Sequence, residues 1–138
     1  MNIVGLGKAG CAIADCFSKF SQYNTYKFDS NIEGPNSFNI PECSSHEEYE
    51  QNCPDFSNEL QNVSGQLLFV VCGAGKVSGC SLRLVEQFSD VLVSILYVEP
   101  DRALLSEIEK VQETIVKNVL QEYTRSGVFD RIYLVSNS

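Results

Sequence analysis

Apolar residues occur along this chain in two alternating patterns, short continuous runs and longer stretches in which they recur every three or four positions. The continuous runs predict strands, and the central ones are apolar throughout, as in a parallel sheet covered on both faces. Strands are predicted at residues 2–4, 25–28, 67–72, 91–98 and 131–135. Helical spacing predicts helices after Gly10, through residues 82–88 and over residues 104–123. Because strands and helices alternate, we expect a single α/β domain over residues 1–138, with a doubly wound, mostly parallel, three-layer Rossmann-like sheet.

The last predicted helix has the most regular pattern. Its apolar face is formed by Leu104, Ile108, Val111, Ile115, Val119 and Tyr123, widened by Leu105, Val116 and Leu120. A face of this kind over five turns is typical of a helix that packs on a core. We expect Asp101 to cap the start of this helix and Gly127 to end it.

The acidic residues are concentrated in one segment, although the net charge of the whole chain is −8. Residues 28–75 contain no Lys or Arg, and their acids are Asp29, Glu33, Glu42, Glu47, Glu48, Glu50, Asp55 and Glu59. Residues 30–65 are also rich in Asn, Ser and Pro, which predicts loops and one or two short helices, one over residues 46–51 capped by Ser44 or Ser45. We interpret this acidic, loop-rich segment as solvated, with a docking surface for a basic protein partner or a magnesium site as alternatives.

Several classes of function are disfavoured by composition. The chain has no basic footprint for nucleic acid and no apolar run of the length that crosses a bilayer. Its six cysteines form no Cys-x-x-Cys pair and His46 is the only histidine, which disfavours a zinc site and a Ser-His-Asp triad, and we assign no metal ligand. With no signal peptide visible, we expect a cytoplasmic protein with reduced thiols.

Two glycine-rich loops each follow a predicted strand and precede a predicted helix. The first glycine loop is Gly5-Leu6-Gly7-Lys8-Ala9-Gly10, and the second is Gly73-Ala74-Gly75-Lys76-Val77-Ser78-Gly79. Glycine lets a ligand approach the backbone closely, and amide groups at a helix start attract anions. The carboxyl ends of parallel strands share one edge of the sheet, so we expect a phosphate site between the two loops. An ATPase-type P-loop is excluded, because Val77 and not Ser or Thr follows Lys76.

These loops resemble those of a known family. Residues 3–10 resemble the first phosphate loop of the FtsZ/tubulin superfamily, and residues 69–80 resemble its glycine-rich signature. The following strand, long helix and last strand ending in Asn137 come in a similar order. The resemblance implies a guanine-nucleotide-binding domain that acts in protein assembly, as a filament component, a filament cap or a particle subunit. It also implies GTP or GDP as cofactor, with or without magnesium.

The resemblance assigns nucleotide contacts to particular positions. In that family an Asn at the end of the last strand hydrogen-bonds guanine, a role that falls to Asn137. The residues expected to contact the nucleotide are Gly7, Lys8, Ala9, Gly10, Cys11, Asp29, Gly73, Gly75, Lys76, Val77, Ser78, Gly79 and Asn137.

Some positions depart from the family's pattern. Lys76 and Val77 stand where the signature has glycines; Lys76 is suited to neutralise phosphate, whereas Val77 is expected to crowd a backbone that needs unusual angles. Asp101 and Arg102 follow Pro100 too closely to overlay on the family's ribose-contacting pair. The family's central helix and catalytic acids have no counterpart in these residues. We therefore assign no catalytic residue, and we expect hydrolysis to need acids from another subunit or protein.

Two further hypotheses fit the same residues. A dinucleotide-binding Rossmann domain would use Gly5-x-Gly7-x-x-Gly10 for the pyrophosphate of NAD and Asp29 for the ribose hydroxyls, as an accessory or sensor subunit. Alternatively, the fold is a scaffold that binds no nucleotide and contacts a partner through the acidic segment.

Overall fold

The sheet of the computed structural model, which describes residues 1–136, has six strands. They are β1 (Asn2–Leu6), β2 (Asn24–Asp29), β3 (Ser37–Asn39), β4 (Ser64–Val71), β5 (Asp90–Glu99) and β6 (Ile132–Ser136). All of them are parallel, in the order β3-β2-β1-β4-β5-β6. This arrangement confirms the predicted α/β class and the parallel, Rossmann-like sheet. Asn137 lies outside the described residues, so its assignment to a guanine base stays a prediction.

Within the described part of the chain, five α-helices connect the strands. They are α1 (Gly7–Phe17), α2 (His46–Gln51), α3 (Ser57–Leu60), α4 (Ser81–Val85) and α5 (Glu107–Arg125). Two 3-10 helices, Lys76–Cys80 and Arg102–Leu104, precede α4 and α5. The helix predicted through residues 82–88 is therefore shorter than expected, because most of the second glycine loop coils as a 3-10 helix and Phe88 lies beyond α4.

The two faces of the sheet carry separate apolar clusters, since successive residues of a strand point to opposite sides. The smaller cluster joins α1 to the sheet through Ala14, Ile3 and Val70. The larger cluster lies on the other face, where Val116 and Leu120 of α5 are buried with Tyr97 and Phe69. Helices thus cover both faces, and the two glycine loops emerge between these layers at one edge of the sheet.

The acidic segment is more ordered than its composition indicates. The short strand β3, which sequence patterning missed, extends the sheet beside β2. It is anchored by Phe38, whose ring stacks on Phe28 with centroids 4.7 Å apart. Helix α2 occupies the predicted residues, and the side chain of Ser45 accepts a hydrogen bond from the Glu48 amide, so the predicted cap is confirmed.

The apolar face predicted for α5 is wrong in orientation. Leu104, Ile108, Val111 and Ile115 are 83%, 71%, 59% and 51% exposed, whereas the helix buries Gln112, Glu113, Val116 and Leu120. The apolar residues of α5 span a wider arc of the helix surface than the strip that packs against the sheet. Only the residues on one side of that arc are therefore buried in the core. Asp101 caps the preceding 3-10 helix, and Ser106 caps α5 in a capping box with Glu109, which corrects the predicted cap.

The end of α5 agrees with the prediction. The helix ends at Arg125, and Gly127 follows with φ +88°, a conformation that glycine adopts without a steric penalty. Within residues 1–136, no helix is long and apolar enough to span a membrane.

Candidate functional site

The two glycine loops lie side by side at the point where the strand order reverses. Strand β1 is flanked by β2 and β4, and Leu6 pairs in register with both Phe28 and Val71, the neighbouring strand positions. The chain leaves β1 toward one face and β4 toward the other, which opens a crevice between them. In open α/β sheets, ligands bind in such a crevice at the carboxyl ends of the strands.

A cleft of about 320 Å³ occupies this crevice. Both glycine loops and the end of β2 contribute to its wall, which consists of Leu6, Gly7, Lys8, Ala9, Asp29, Tyr49, Cys72, Gly75, Lys76 and Val77. Seven of the residues predicted from sequence are thereby brought together: Gly7, Lys8, Ala9, Asp29, Gly75, Lys76 and Val77. A cavity of this volume lies at the small end of the range for ligand pockets.

The first glycine loop turns directly into α1. Gly7 has φ +78°, which lets the chain reverse from β1 into the helix, and it begins the helix together with Lys8 and Ala9. The amide groups of a first helical turn have no carbonyl partner within the helix, so they are available to an anion. Lys8 is exposed at the same place and adds a full positive charge.

Gly10 and Cys11 lie behind this loop and do not line the cleft. A Cβ on Gly10 would lie 2.4 Å from the carbonyl oxygen of Val70, so this glycine is required for close packing of α1 on the sheet. The thiol of Cys11 donates hydrogen bonds to the carbonyl oxygens of Gly5 and Phe28, at 3.6 Å and 3.5 Å. Burial raises the pKa of the Cys11 thiol to about 11, as expected for a neutral packing residue.

The second glycine loop presents Gly75 and Lys76 to the cleft. Both are exposed, and a Cβ on Gly75 would meet no atom within 4 Å, so the backbone there is open to a ligand. The hydroxyl of Ser78 donates to the carbonyl oxygens of Gly75, at 2.6 Å, and Gly73, at 3.2 Å. Ser78 therefore fixes the shape of the loop from behind and does not line the cleft.

Val77 does not crowd the loop, contrary to expectation. It lies in the 3-10 helix, and the only non-glycine residues with positive φ among those described are Asn31 and Asn36. Its side chain is buried in the larger apolar cluster and lies against Gly7, where an added Cβ would be 3.1 Å from Cγ1 of Val77. Val77 thus forms a contact between the two loops.

The remaining glycines of the second loop make close contacts elsewhere. A Cβ on Gly73 would lie 2.5 Å from the hydroxyl oxygen of Tyr97, and one on Gly79 would lie 2.2 Å from the carbonyl oxygen of His46. These two glycines let the loop approach β5 and α2, and they are not part of the cleft wall. At these two positions the absence of a side chain permits close packing, which a sequence motif alone does not distinguish from ligand approach.

The charge at the cleft is divided between two lysines and one carboxylate. Lys8 and Lys76 lie on its two loops, and Asp29 lies at the end of β2. Oδ1 of Asp29 accepts a hydrogen bond from the Ser30 amide at 2.8 Å, which fixes the carboxylate at the mouth of the cleft. The arrangement suits an anion beside the two loops and hydroxyl groups beside Asp29.

A buried network beneath the second loop was not predicted from sequence. Glu113, only 3% exposed, accepts a hydrogen bond from the Tyr97 hydroxyl at 2.5 Å and an ion pair from Arg102. Burial and the Glu113 carboxylate raise the pKa of Tyr97, which stays neutral and donates its proton. The only signal in the sequence was an acid on the apolar side of an amphipathic helix, with an arginine close to the helix start.

The described residues contain no group of three or more His, Cys, Asp or Glu side chains that could hold a metal ion.

In comparisons with known proteins, no family model matches this chain and no curated protein matches it.

Proposed function

We propose that this chain binds a guanine nucleotide, with its phosphate groups held between the two glycine loops, and that it acts in protein assembly. The observation that carries the proposal is the shared cleft: the start of α1, Gly75 and two lysines from separate loops line one space at the switch point of the sheet. Backbone amides and lysine ammonium groups are the donors that bind phosphate.

The preference for guanine rests on the resemblance of the two loops to those of the FtsZ/tubulin superfamily. That resemblance assigns base recognition to Asn137 and assigns assembly as the role. Among the described residues we find support for binding and none for hydrolysis, because Asp29 is the one carboxylate that lines the cleft. We therefore propose a nucleotide-binding subunit in which hydrolysis requires acids from another chain.

The test is a titration of the purified chain with a fluorescent GTP analogue, followed by competition with GTP, GDP, ATP, NAD and pyrophosphate. Replacing Lys8 or Lys76 by Ala should weaken binding about tenfold each, because each removes a charged phosphate contact. Lys19→Ala, at an exposed position outside the cleft, is the matched control and should bind normally. If wild type and the three variants show equal affinity, the cleft is not the site.

A second candidate is binding of NAD, favoured by the position of Asp29 at the end of β2 in the same cleft. In the competition above, tighter binding of NAD than of GTP would replace the first proposal by this one. Asp29→Asn should then weaken NAD binding and leave pyrophosphate binding unchanged. If none of the ligands binds, the scaffold hypothesis without nucleotide takes the place of both.

A further inference from the structure

The structure has an apolar groove along α5 that the nucleotide cleft does not use. Helix α5 exposes Ile108, Val111 and Ile115, and the 3-10 helix before it exposes Leu104. All four side chains are more than half exposed, and Ile108 and Ile115 lie two turns apart on the same side of α5. Val119, one turn further, is only partly buried. Surfaces of this kind, continuous and apolar, mark sites of interaction with another molecule.

The groove has a second wall, opposite α5. Ile115 and Val119 line a pocket of about 80 Å³ together with Leu82 of α4 and with His46 and Glu50 of α2. Leu82 also lines the next pocket, of about 210 Å³, which continues to Tyr123 and Val128. The two pockets therefore form one groove between α5 on one side and α2 and α4 on the other. We call it the α5 groove.

The charge of the α5 groove is one-sided. Among the described residues that line its two pockets, the ionised side chains are Glu50 and Glu86, and no Lys or Arg is among them. His46 also lines the groove, and burial lowers its pKa, so it adds no positive charge at neutral pH. On the side opposite α5, Glu50 of α2 and Glu86, which directly follows α4, make the wall acidic, whereas the α5 wall is aliphatic.

We propose that the α5 groove binds an amphipathic helix of another protein, with aliphatic residues on one face and Lys or Arg along one flank. The aliphatic face would cover Ile115 and Val119 in the groove and extend along α5 to the exposed Ile108. The basic flank would lie beside Glu50 and Glu86. α5 has 19 residues, about 28 Å, which matches a partner helix of roughly five turns. In recognition of this type, the groove binds apolar side chains at positions i, i+3, i+4 and i+7 of the partner helix.

The charge distribution argues against a second copy of this chain as the occupant. The net charge is −8, and residues 28–75 contain no basic residue. Association of two copies would therefore have to overcome repulsion between like charges, whereas a basic helix is attracted. Binding at the α5 groove goes beyond the proposed nucleotide function, although Ser78 and Gly79 of the second glycine loop line part of it.

The probe is a labelled synthetic peptide of about 18 residues, with Leu at i, i+3, i+4 and i+7 and Lys along one flank. Two control peptides have Glu in place of Lys, or the same composition in scrambled order. Fluorescence anisotropy with the full chain should show the Lys peptide binding at least about tenfold more tightly than either control. Equal binding of the Lys and scrambled peptides would overturn the proposal, since it would show charge attraction without a groove.

Substitutions in the α5 groove test whether the peptide binds there. Ile115→Gln should weaken the Lys peptide about tenfold by removing an apolar contact, and Asn118→Gln, exposed on the same helix outside the two pockets, should have no effect. The double variant Glu50→Lys, Glu86→Lys should reverse the preference, so that the Glu peptide binds more tightly than the Lys peptide. All these positions are exposed, so circular dichroism and the melting temperature should stay unchanged.

Two results would contradict the proposal. If the charge-reversed double variant still bound the Lys peptide more tightly than the Glu peptide, the acidic wall would not select the partner by its charge. Sedimentation that shows a dimer of the wild-type chain, converted to a monomer by Ile115→Gln, would show that a second copy covers the groove.

Discussion

Gly10 of α1 and Val70 of β4 lie so close that a Cβ on Gly10 would be 2.4 Å from the carbonyl oxygen of Val70. The neighbouring atom is backbone and cannot rotate away. We expect Gly10→Ala to lower the free energy of unfolding by about 3 kcal/mol, at the upper end of the cost of overpacking. Urea denaturation without ligand measures this, and a loss below about 1 kcal/mol would show that α1 shifts to accommodate the methyl group.

Gly75→Ala is the contrasting substitution, because we expect it to affect ligand binding and not the stability of the fold. The position has φ −76° and no atom within 4 Å of an added Cβ, so the folded state should accept alanine with an unchanged melting temperature. The methyl group would project where a phosphate is proposed to approach the backbone, and affinity for the GTP analogue should fall at least about fivefold. Full affinity in a folded Gly75→Ala protein would remove the second loop from the proposed contacts.

Tyr97 and Glu113 form a buried hydrogen bond beneath the second loop, at 2.5 Å. Tyr97→Phe removes the donor and leaves the Glu113 carboxylate with Arg102 as its side-chain partner. We expect a loss of about 1–3 kcal/mol in unfolding free energy, the cost of an unmet buried group. Tyr133→Phe, at an exposed position, should change it by less than about 0.5 kcal/mol. Equal effects of the two substitutions would show that the buried bond contributes nothing.

The partly buried His46 should make the free energy of unfolding depend on pH. Burial lowers its pKa, against the opposing effect of Glu47 and Glu50, so the unfolded chain takes up a proton at higher pH than the folded one. The contribution of His46 is therefore complete above about pH 6.5 and is lost as the pH falls below that value. Urea denaturation at pH 7.5 and 5.5 should show a larger loss for wild type than for His46→Gln. The same loss in both proteins would assign the pH dependence to other groups.

Cys53 and Cys80 differ in exposure, because Cys80 is fully buried and Cys53 is only partly buried. A hydrogen bond with Cys80 lowers the pKa of Cys53, with a smaller effect of Arg83, whereas the same bond and burial raise the pKa of Cys80. Iodoacetamide should therefore modify Cys53 before Cys80 in the folded protein, as mass spectrometry of peptides would show. Cys80→Ala should move the midpoint of the pH–rate profile of Cys53 upward, and Cys16→Ala should not. A midpoint unmoved by Cys80→Ala would contradict the pairing.

The sheet was predictable because its signal is local. Buried parallel strands are apolar on both faces, so β1, β4 and β5 could be identified from composition alone. The Ser45 cap and the end of α5 at Gly127 were predictable for the same reason, since each depends on a few adjacent residues. The short strand β3 was missed because its pairing with β2 depends on a partner that is distant in sequence.

The candidate site was predicted in part. Both loops were identified, but the sequence did not distinguish glycines that face the cleft from glycines that permit close packing. Gly7 and Gly75 line the cleft, whereas Gly10, Gly73 and Gly79 lie against neighbouring backbone or a side chain. The difference depends on the layers that approach each loop, and adjacent residues do not encode it.

The sequence by itself determined that α5 is a helix with an apolar arc, because the 3.6-residue repeat needs only the chain. Which part of that arc faces the core was decided by the tertiary structure, which buries Val116 and Leu120 and leaves Ile108 and Ile115 exposed. The reason is geometric: a helix contacts the sheet along a strip narrower than its apolar arc, and the buried strip is the one in which Glu113 and Val116 lie against Gly73. The cleft and the α5 groove likewise exist only because the tertiary structure brings elements that are distant in sequence next to each other.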